Sequence, residues 1–354
     1  MKKVLVIFGG VSSEHDVSLV SARSVIENIP KDKYEVFTLG ITKEGQWLFY
    51  TGPVENLPEG AWLKDDNFLT PALLSTDHGR KGLVLFKDDN KVEWLEIDLL
   101  FPVLHGKNGE DGTIQGLFEI AGIPYVGCDT LSSAMCMDKA ASNTMADYFG
   151  IAQAKWLPLS QNDYDLNPDK AASEAESKLG FPLFVKPANA GSSVGVSKVR
   201  NIEELHKGLK SAFVHDRKLV LEEAVDGTEV ECAVMGNDSP VASVPGEVVP
   251  CNDFYDYEAK YICGTSELYI PARLGEEKLE EIKQVALKVY KALGCSGMAR
   301  VDFFVRKSDG ALLFNELNTI PGFTSISMYP KMFESSGLPY SELLDKLLEL
   351  ALEK

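Results

Sequence analysis

An α/β fold built in more than one unit is what this sequence predicts, and three stretches carry that expectation. Lys2 to Gly10 reads as a buried apolar strand running into a glycine turn, Val11 to Asn28 as a helix, and Tyr34 to Ile41 as a second strand. Strand, helix, strand in that order makes a parallel pair, because a parallel return needs a crossover. Leu99 to His105 is another buried strand, and it delivers the glycine-rich loop Gly106 to Gly112 to a helix opening at Thr113. The third stretch, Met298 to Asn318, reads as an antiparallel hairpin. A chain of 354 residues exceeds what one core supports, so two or three domains are expected.

Composition narrows the functional classes. A formal charge of -18 argues against nucleic acid, which needs a basic face, but leaves room for a nucleotide held by a few Lys and Arg. No apolar run reaches the length of a membrane span, and Met1-Lys2-Lys3 leads straight into a strand. Cys128, Cys136, Cys232, Cys251, Cys263 and Cys295 show no Cys-x-x-Cys pairing, so reduced, buried thiols in a cytoplasm are expected. The histidines form no His-x-x-x-His pattern and argue against zinc.

Taken in order, the first helix has Ser12 or Ser13 available as its cap. The Gly9-Gly10 turn falls short of Gly-x-Gly-x-x-Gly, so no dinucleotide site is read there. Glu14 lies at the carboxyl end of the first strand, where open α/β sheets bind ligands, although an acid in a first helical turn also serves as a dipole partner. Residues from about 43 to 96 are less regular, with short strands at 46–50 and 82–86. His105 and Glu110 arrive at the same sheet edge as Glu14, and that convergence is the first site signal.

A second region opens near Ser132, with a helix that Gly150 should stop. Phe184 to Gly195 is a strand carrying Lys186, followed by small residues that let backbone amides and the Ser192 and Ser193 hydroxyls approach an anion. It is no Walker loop; a flap over phosphates and a plain surface turn are the two readings. Ile202 to Phe213 is an amphipathic helix, and Lys218 to Val234 a strand, a turn and a strand. Pro250 to Tyr261, polar and aromatic, has the composition of a loop that orders over a site. A helix follows from Glu277 to Leu293, then the hairpin, then a terminal helix from about Ser341.

In the hairpin, a three-residue loop Ser308-Asp309-Gly310 sets Phe304 opposite Phe314, Asp302 opposite Glu316 and Arg300 opposite Asn318, all on one face. Facing carboxylates repel unless a cation sits between them. Asp302, Glu316 and Asn318 offer hard oxygens that suit Mg²⁺; the alternative is a solvated ribbon whose acids splay into water.

Six blocks taken together resemble a known family: Gly9-Gly-Val-Ser-Ser-Glu-His-Asp-Val-Ser18, His105-Gly-Lys-Asn-Gly-Glu-Asp-Gly-Thr-Ile-Gln-Gly116, Lys186-Pro-x-x-x-Gly-Ser-Ser-Val-Gly195, Phe254-Tyr-Asp-Tyr-Glu-Ala-Lys-Tyr261, Arg300-x-Asp302 and Glu316-x-Asn-Thr-x-Pro-Gly322. In this order, and over nearly the whole chain, they are similar to the D-alanine:D-alanine ligases, ATP-grasp enzymes of peptidoglycan synthesis. The resemblance implies a Rossmann-like domain at 1–127, a central ATP-grasp subdomain with the serine flap at 128–222, and a C-terminal one with the mobile loop and metal site at 223–354. It implies ATP-driven phosphorylation of one D-alanine carboxylate, attack by the amine of a second, and release of ADP, phosphate and D-alanyl-D-alanine. A cytoplasmic homodimer is the implied setting.

By motif match, Asp302, Glu316 and Asn318 look like ligands of two Mg²⁺ ions, for which Mn²⁺ substitutes. Lys139 and Lys186 would neutralise phosphate beneath Ser192 and Ser193, and Glu222, Glu223, Val225 and Glu229 would hold adenosine. Glu14 would bind the first ammonium, with His105 nearby, while Arg300 and the Gly322 amide stabilise the oxyanion. Ser327, Lys260 and the Met328 amide would hold the second carboxylate, and Tyr261, Ser192 and Glu14 resemble a trio that locks the loop. Related D-Ala-D-Ser and D-Ala-D-lactate ligases replace the loop Tyr or carry Arg at the Met328 position, so Tyr261 and Met328 favour D-alanine. A silent ATP-binding regulator, or an ATP-grasp ligase with another acceptor, is the alternative; the intact Asp302, Glu316, Asn318 and Arg300 speak against the first and Glu14 against the second.

Overall fold

The computed structural model describes residues 1–87, 91–249 and 267–354, which build three sheets. The first comprises β1 (Lys2–Gly9), β2 (Tyr34–Ile41), β3 (Trp47–Tyr50), β4 (Leu69–Leu74), β5 (Gly82–Phe86), β6 (Val92–Glu96) and β7 (Leu99–Val103), in the spatial order β6-β5-β4-β3-β2-β1-β7. The expected parallel sheet is confined to β2, β1 and β7, and the less regular segment adds four antiparallel strands to it, of which β3 and β5 were expected and β4 and β6 were not. β1 is apolar on both faces because it lies inside the sheet and is covered on both sides.

Helix α1 (His15–Asn28) begins later than expected, and neither Ser12 nor Ser13 caps it. The Ser12 hydroxyl instead accepts the Glu14 amide at 3.1 Å, leaving Glu14 at the cap position beside the carboxyl end of β1. One face of α1 carries Ser18, Ser21 and Ser24 at helical spacing. Ser18 accepts the Gly9 amide at 2.7 Å and donates to the Val103 carbonyl, which joins the ends of β1 and β7. Ser21 accepts the Phe323 amide at 3.3 Å, and Ser24 meets the Tyr340 hydroxyl at 3.2 Å, so the same helix ties the first sheet to the end of the chain.

Helices α2 (Thr113–Ala121), α3 (Thr130–Met137) and α4 (Lys139–Tyr148) lead to the second sheet, and Gly150 follows α4 at φ +61° as expected of a helix stop. That sheet holds β8 (Trp156–Ser160), β9 (Leu183–Pro187), β10 (Ser197–Val199) and β11 (Lys218–Glu223), all antiparallel. Helices α5 (Gln161–Leu166), α6 (Pro168–Leu179) and α7 (Ile202–Ala212) supply its core. The third sheet comprises β12 (Gly227–Gly236), β13 (Val241–Ala242), β14 (Gly246–Val249), β15 (Glu267–Tyr269), β16 (Gly297–Arg306) and β17 (Leu312–Asn318), backed by α8 (Glu276–Ala292). Helices α9 (Met328–Ser335) and α10 (Tyr340–Leu352) close the chain.

The β16–β17 hairpin departs from the expected register in an instructive way. Gly310 takes the positive φ assigned to it, but the Arg306 amide bonds the Ala311 carbonyl at 2.9 Å, so the loop is one residue longer. Phe303, and not Phe304, therefore faces Phe314. Asn315 is then left over as a bulge, and the bulge restores the expected pairs Asp302 with Glu316 and Arg300 with Asn318.

The largest core cluster is shared between ends of the chain. Val4, Val6, Phe8 and Phe101 of the first sheet pack with Phe323, Tyr329, Leu343 and Leu347. Phe323 is fully buried, edge-on to Phe101 at 6.0 Å and to Tyr329 at 5.6 Å. Among the described residues no helix is long and apolar enough to cross a membrane, and the described cysteines, Cys128, Cys136, Cys232 and Cys295, are buried free thiols. Cys251 and Cys263 lie outside the described residues. Phe323→Ala should lower the unfolding free energy by about 3–5 kcal/mol, read from the denaturant midpoint at constant slope. A loss below about 1 kcal/mol would show that the two chain ends do not share this core.

Candidate active site

Two cavities meet over the third sheet. One of about 430 Å³ is lined by Glu14, His105, Arg300, Gly322, Ser327 and Met328, the residues expected to hold amino acid. The other, about 640 Å³, is lined by Lys186, Ser193, Glu222, Glu223, Val225 and Glu229, all expected to hold ATP. Lys139, Ser192, Glu231 and Glu316 line both and form the partition. Lys260 and Tyr261, with the rest of the expected loop, lie outside the described residues.

At the amino-acid end, Glu14 is buried and accepts the Ser192 hydroxyl. Gly106 and Gly191 permit this: a Cβ would stand 2.4 Å from Glu14 Oε2 at the first and 2.8 Å at the second. Ser192 and Ser193 both take left-handed backbone, at φ +48° and +57°, a conformation that costs on the order of 1 kcal/mol per residue and clusters at ligand clamps. That observation favours the flap over the plain turn.

His105 faces the Ile320 carbonyl through Nδ1 at 3.1 Å and the Ser21 hydroxyl through Nε2 at 3.2 Å. A carbonyl only accepts, so Nδ1 carries the proton and Nε2 accepts from Ser21. Burial lowers its pKa against the opposing pull of the Glu14 charge, and the ring stays neutral. Both nitrogens are thus engaged within the protein, and the histidine holds the 318–322 segment against the first sheet. Glu110 does the same from its loop, accepting the Gly106 amide at 2.7 Å and the Ile320 amide at 3.3 Å. Burial first, and the Glu14 charge second, push its pKa up to about 8.

At the nucleotide end, Lys186 on β9 donates to Glu222 at 2.5 Å and to Asn315 at 3.4 Å. Burial would lower the Lys186 pKa, but the Glu222 charge outweighs it and the group is raised, so the lysine keeps its charge. Asn315 reaches the site only because of the bulge, and sequence spacing offers no signal for it. The Glu223 amide donates to the Lys155 carbonyl and its carboxylate accepts the Lys155 amide, each at 2.9 Å.

The partition holds the charges. Glu231, Asp302 and Glu316 are register partners on the neighbouring strands β12, β16 and β17, so three carboxylates stand side by side on one face. Arg300 donates from Nε and Nη2 to the two Asp302 oxygens at 2.7 Å each, and Nε lies 3.1 Å from Glu231. Lys139 Nζ stands 3.5 Å from Glu316 and 2.9 Å from the Ala190 carbonyl of the flap. Burial opposes the Arg300 charge, yet Asp302 and Glu231 outweigh it and raise its pKa well above the ordinary value. The Asn318 amide donates to Asp302 at 2.9 Å.

The acids of the ribbon therefore face one cavity wall and do not splay into water. Two carboxylates and an amide supply hard oxygen donors, and the cations gathered on them show that the wall demands positive charge. Among the described residues no group of three His, Cys, Asp or Glu is arranged to hold a metal unaided.

Residues 3–128 match the model of the D-ala D-ala ligase N-terminus, and residues 145–349 that of the D-ala D-ala ligase C-terminus. The chain belongs to the D-alanine–D-alanine ligase family. It is 54% identical to the D-alanine–D-alanine ligase of Caldicellulosiruptor bescii over 99% of this chain and 95% of that one, and 51% identical to that of Acetivibrio thermocellus over 100% and 96%. Among solved structures, VanG D-Ala:D-Ser ligase from Enterococcus faecalis superposes with a TM-score of 0.90 at 45% identity, covering 99% of each chain. The D-alanine-D-alanine ligase from Coxiella burnetii does so at 0.86 and 35%, covering 100% of this chain and 96% of that one. The ATP-grasp fold expected from the sequence is the fold of these ligases.

Because native Glu110 holds its proton to a higher pH than the unfolded chain does, its contribution to stability is complete below the ordinary carboxyl value of 4.5 and is lost as pH rises through about 8. Unfolding titrations of the wild type and Glu110→Gln across that window should show the wild type losing stability relative to the variant as pH rises. Parallel pH profiles would mean that Glu110 is ionised in the native ligase.

Proposed function

We propose that this family member joins two D-alanine molecules at the expense of ATP, through a D-alanyl phosphate, to supply D-alanyl-D-alanine for peptidoglycan precursors. The observation that carries this reading is the common wall of the two cavities, where a phosphoryl donor on one side and a carboxylate on the other can meet. The family's ATP-dependent ligases imply ATP and a divalent metal. Asp302, Glu316 and Asn318 would hold Mg²⁺, two ions in the full reading with Mn²⁺ able to substitute, and the metal supplies charge neutralisation on the transferring phosphoryl group.

This chain's own residues do the rest by position and charge. Lys186 and Lys139, both lining the nucleotide cavity, neutralise phosphate, and Ser192 and Ser193 cover it. Glu222, Glu223, Val225 and Glu229 bound the adenosine end. Glu14 attracts the first ammonium and so orients its carboxylate toward the partition. As the second amine attacks the acyl phosphate, negative charge moves to the acyl oxygen, and Arg300 with the Gly322 amide are the donors at that position. Ser327 caps α9 without using its hydroxyl on that helix, and Ser327 and Met328 both line the cavity, so the uncapped amide of Met328 would be a donor for the second carboxylate. Lys260 and Tyr261 complete the reading as acceptor contact and loop lock.

A D-Ser acceptor is the second reading, favoured by the likeness to the VanG ligase. Met328 argues for D-alanine: its side chain is buried and apolar, packed over Gly246, and offers a serine hydroxyl no partner. We further place the domains at 1–127, 128–222 and 223–354 and the working form as a cytoplasmic homodimer.

Incubation with ATP, Mg²⁺ and equimolar D-alanine, D-serine and D-lactate should yield D-alanyl-D-alanine as the main product by mass spectrometry. A dominant mixed product would overturn the acceptor assignment. Asp302→Ala and Glu316→Ala should each lower D-alanine-dependent phosphate release by at least about a hundredfold. Phosphate release that ignores D-alanine would reject the ligase reading.

A further inference from the structure

We propose that Glu231 is a positioning residue: it keeps Arg300 in the site when Asp302 passes from the arginine to the metal. The inference rests on the reading of Asp302 and Glu316 as metal-holding residues. In the structure Arg300 occupies both oxygens of Asp302 at 2.7 Å each. Arg300 takes one lone pair on each Asp302 oxygen and the Asn318 side-chain amide takes a second on one of them, so an ion seated on Asp302 competes with the guanidinium for the charge and the remaining lone pairs of that carboxylate. Arg300 is buried, so releasing it from Asp302 without another anion would strand a desolvated charge.

Glu231 answers that need from the far side. It is 5% exposed, stands in register with Asp302 on β12, and already lies 3.1 Å from Arg300 Nε. Glu316 is on the opposite neighbour, β17. Asp302 thus sits between two acids, with the arginine on the Glu231 side and Lys139 at Glu316. Metal binding between Asp302 and Glu316 would shift Arg300 toward Glu231 and leave its guanidinium at the partition, free to serve the acyl oxygen. Sequence spacing cannot reveal this pairing, since Glu231 and Asp302 are joined only by strand order.

Titration of Mn²⁺ in the presence of ADP, with free ion read by electron paramagnetic resonance, tests the role without turnover. In Glu231→Gln, Arg300 loses one of the two carboxylates within 3.1 Å of its Nε and stays with Asp302, and half-saturating Mn²⁺ should rise about tenfold or more. Removing the arginine as well, in Arg300→Gln/Glu231→Gln, should return Mn²⁺ affinity to the wild-type level or better, a recovery that a purely structural glutamate would not give. Equal affinity in wild type and Glu231→Gln, or no recovery in the double variant, overturns the proposal. If Glu231→Gln does not fold, Arg300→Gln and the double variant decide: they should bind Mn²⁺ alike, and a difference would mean Glu231 acts on the metal directly. Wild type that binds no Mn²⁺ with ADP would instead reject the metal-site reading on which this role depends.

Discussion

Three carboxylates abreast on adjacent strands cannot remain unless cations are brought to them, and the rest of the molecule is arranged around that demand. Glu231, Asp302 and Glu316 are held about 5 Å apart by strand spacing alone. Arg300 rises from the same strand as Asp302, whereas Lys139 comes from the start of α4, outside the sheet. The flap reaches the same place through the Ala190 carbonyl on Lys139. A wall that already assembles positive charge from separate elements is suited to a reaction whose difficulty is the approach of anions.

The amino-acid side of that wall is built from both ends of the chain. His105 and Glu110 come from the first sheet, and both bond to Ile320, four residues beyond Glu316. Ser21 on α1 bonds the Phe323 amide, and Phe323 is buried in the core that the first sheet shares with α9 and α10. The hydrogen bonds set direction and the aromatic core sets rigidity, so Glu14 and Arg300 keep their separation although 285 residues of sequence lie between their positions. A site on such a seam is sensitive to core packing some distance from the chemistry.

Much of this was legible in the sequence, and the failures have physical causes. The buried parallel strands and the capped helices have strong periods, and the site blocks carry chemistry that few other arrangements need. Of the four strands within residues 43–96, Trp47–Tyr50 and Gly82–Phe86 were expected, whereas Leu69–Leu74 and Val92–Glu96 escaped because they are short and lie toward a sheet edge, where burial is partial and alternation weak. The hairpin is a different case. A loop one residue too short was assumed, yet the acids were correctly paired, because the Asn315 bulge cancels the shift before Asp302 is reached. Glu231 had no signal at all, since cross-strand register between segments some 70 residues apart is set by the folded sheet. The left-handed serines of the flap were equally hidden, as Gly191 and Gly195 are where such backbone would be sought.

The shared wall also limits where specificity can reside. The charged groups at the partition serve steps common to any acceptor that attacks an acyl phosphate, so they cannot distinguish D-alanine from D-serine. Discrimination must come from the floor of the amino-acid cavity, and there Met328 packs over Gly246, where a Cβ would come within 2.2 Å of its terminal carbon. In the reading proposed above, that contact puts an apolar surface beneath the acceptor's side chain. A methyl group loses nothing against it, whereas a hydroxyl would give up water without gaining a partner. A ligase so close in backbone to a D-Ala:D-Ser enzyme can therefore differ from it in product through very few side chains, provided that the charge arrangement above them is left intact.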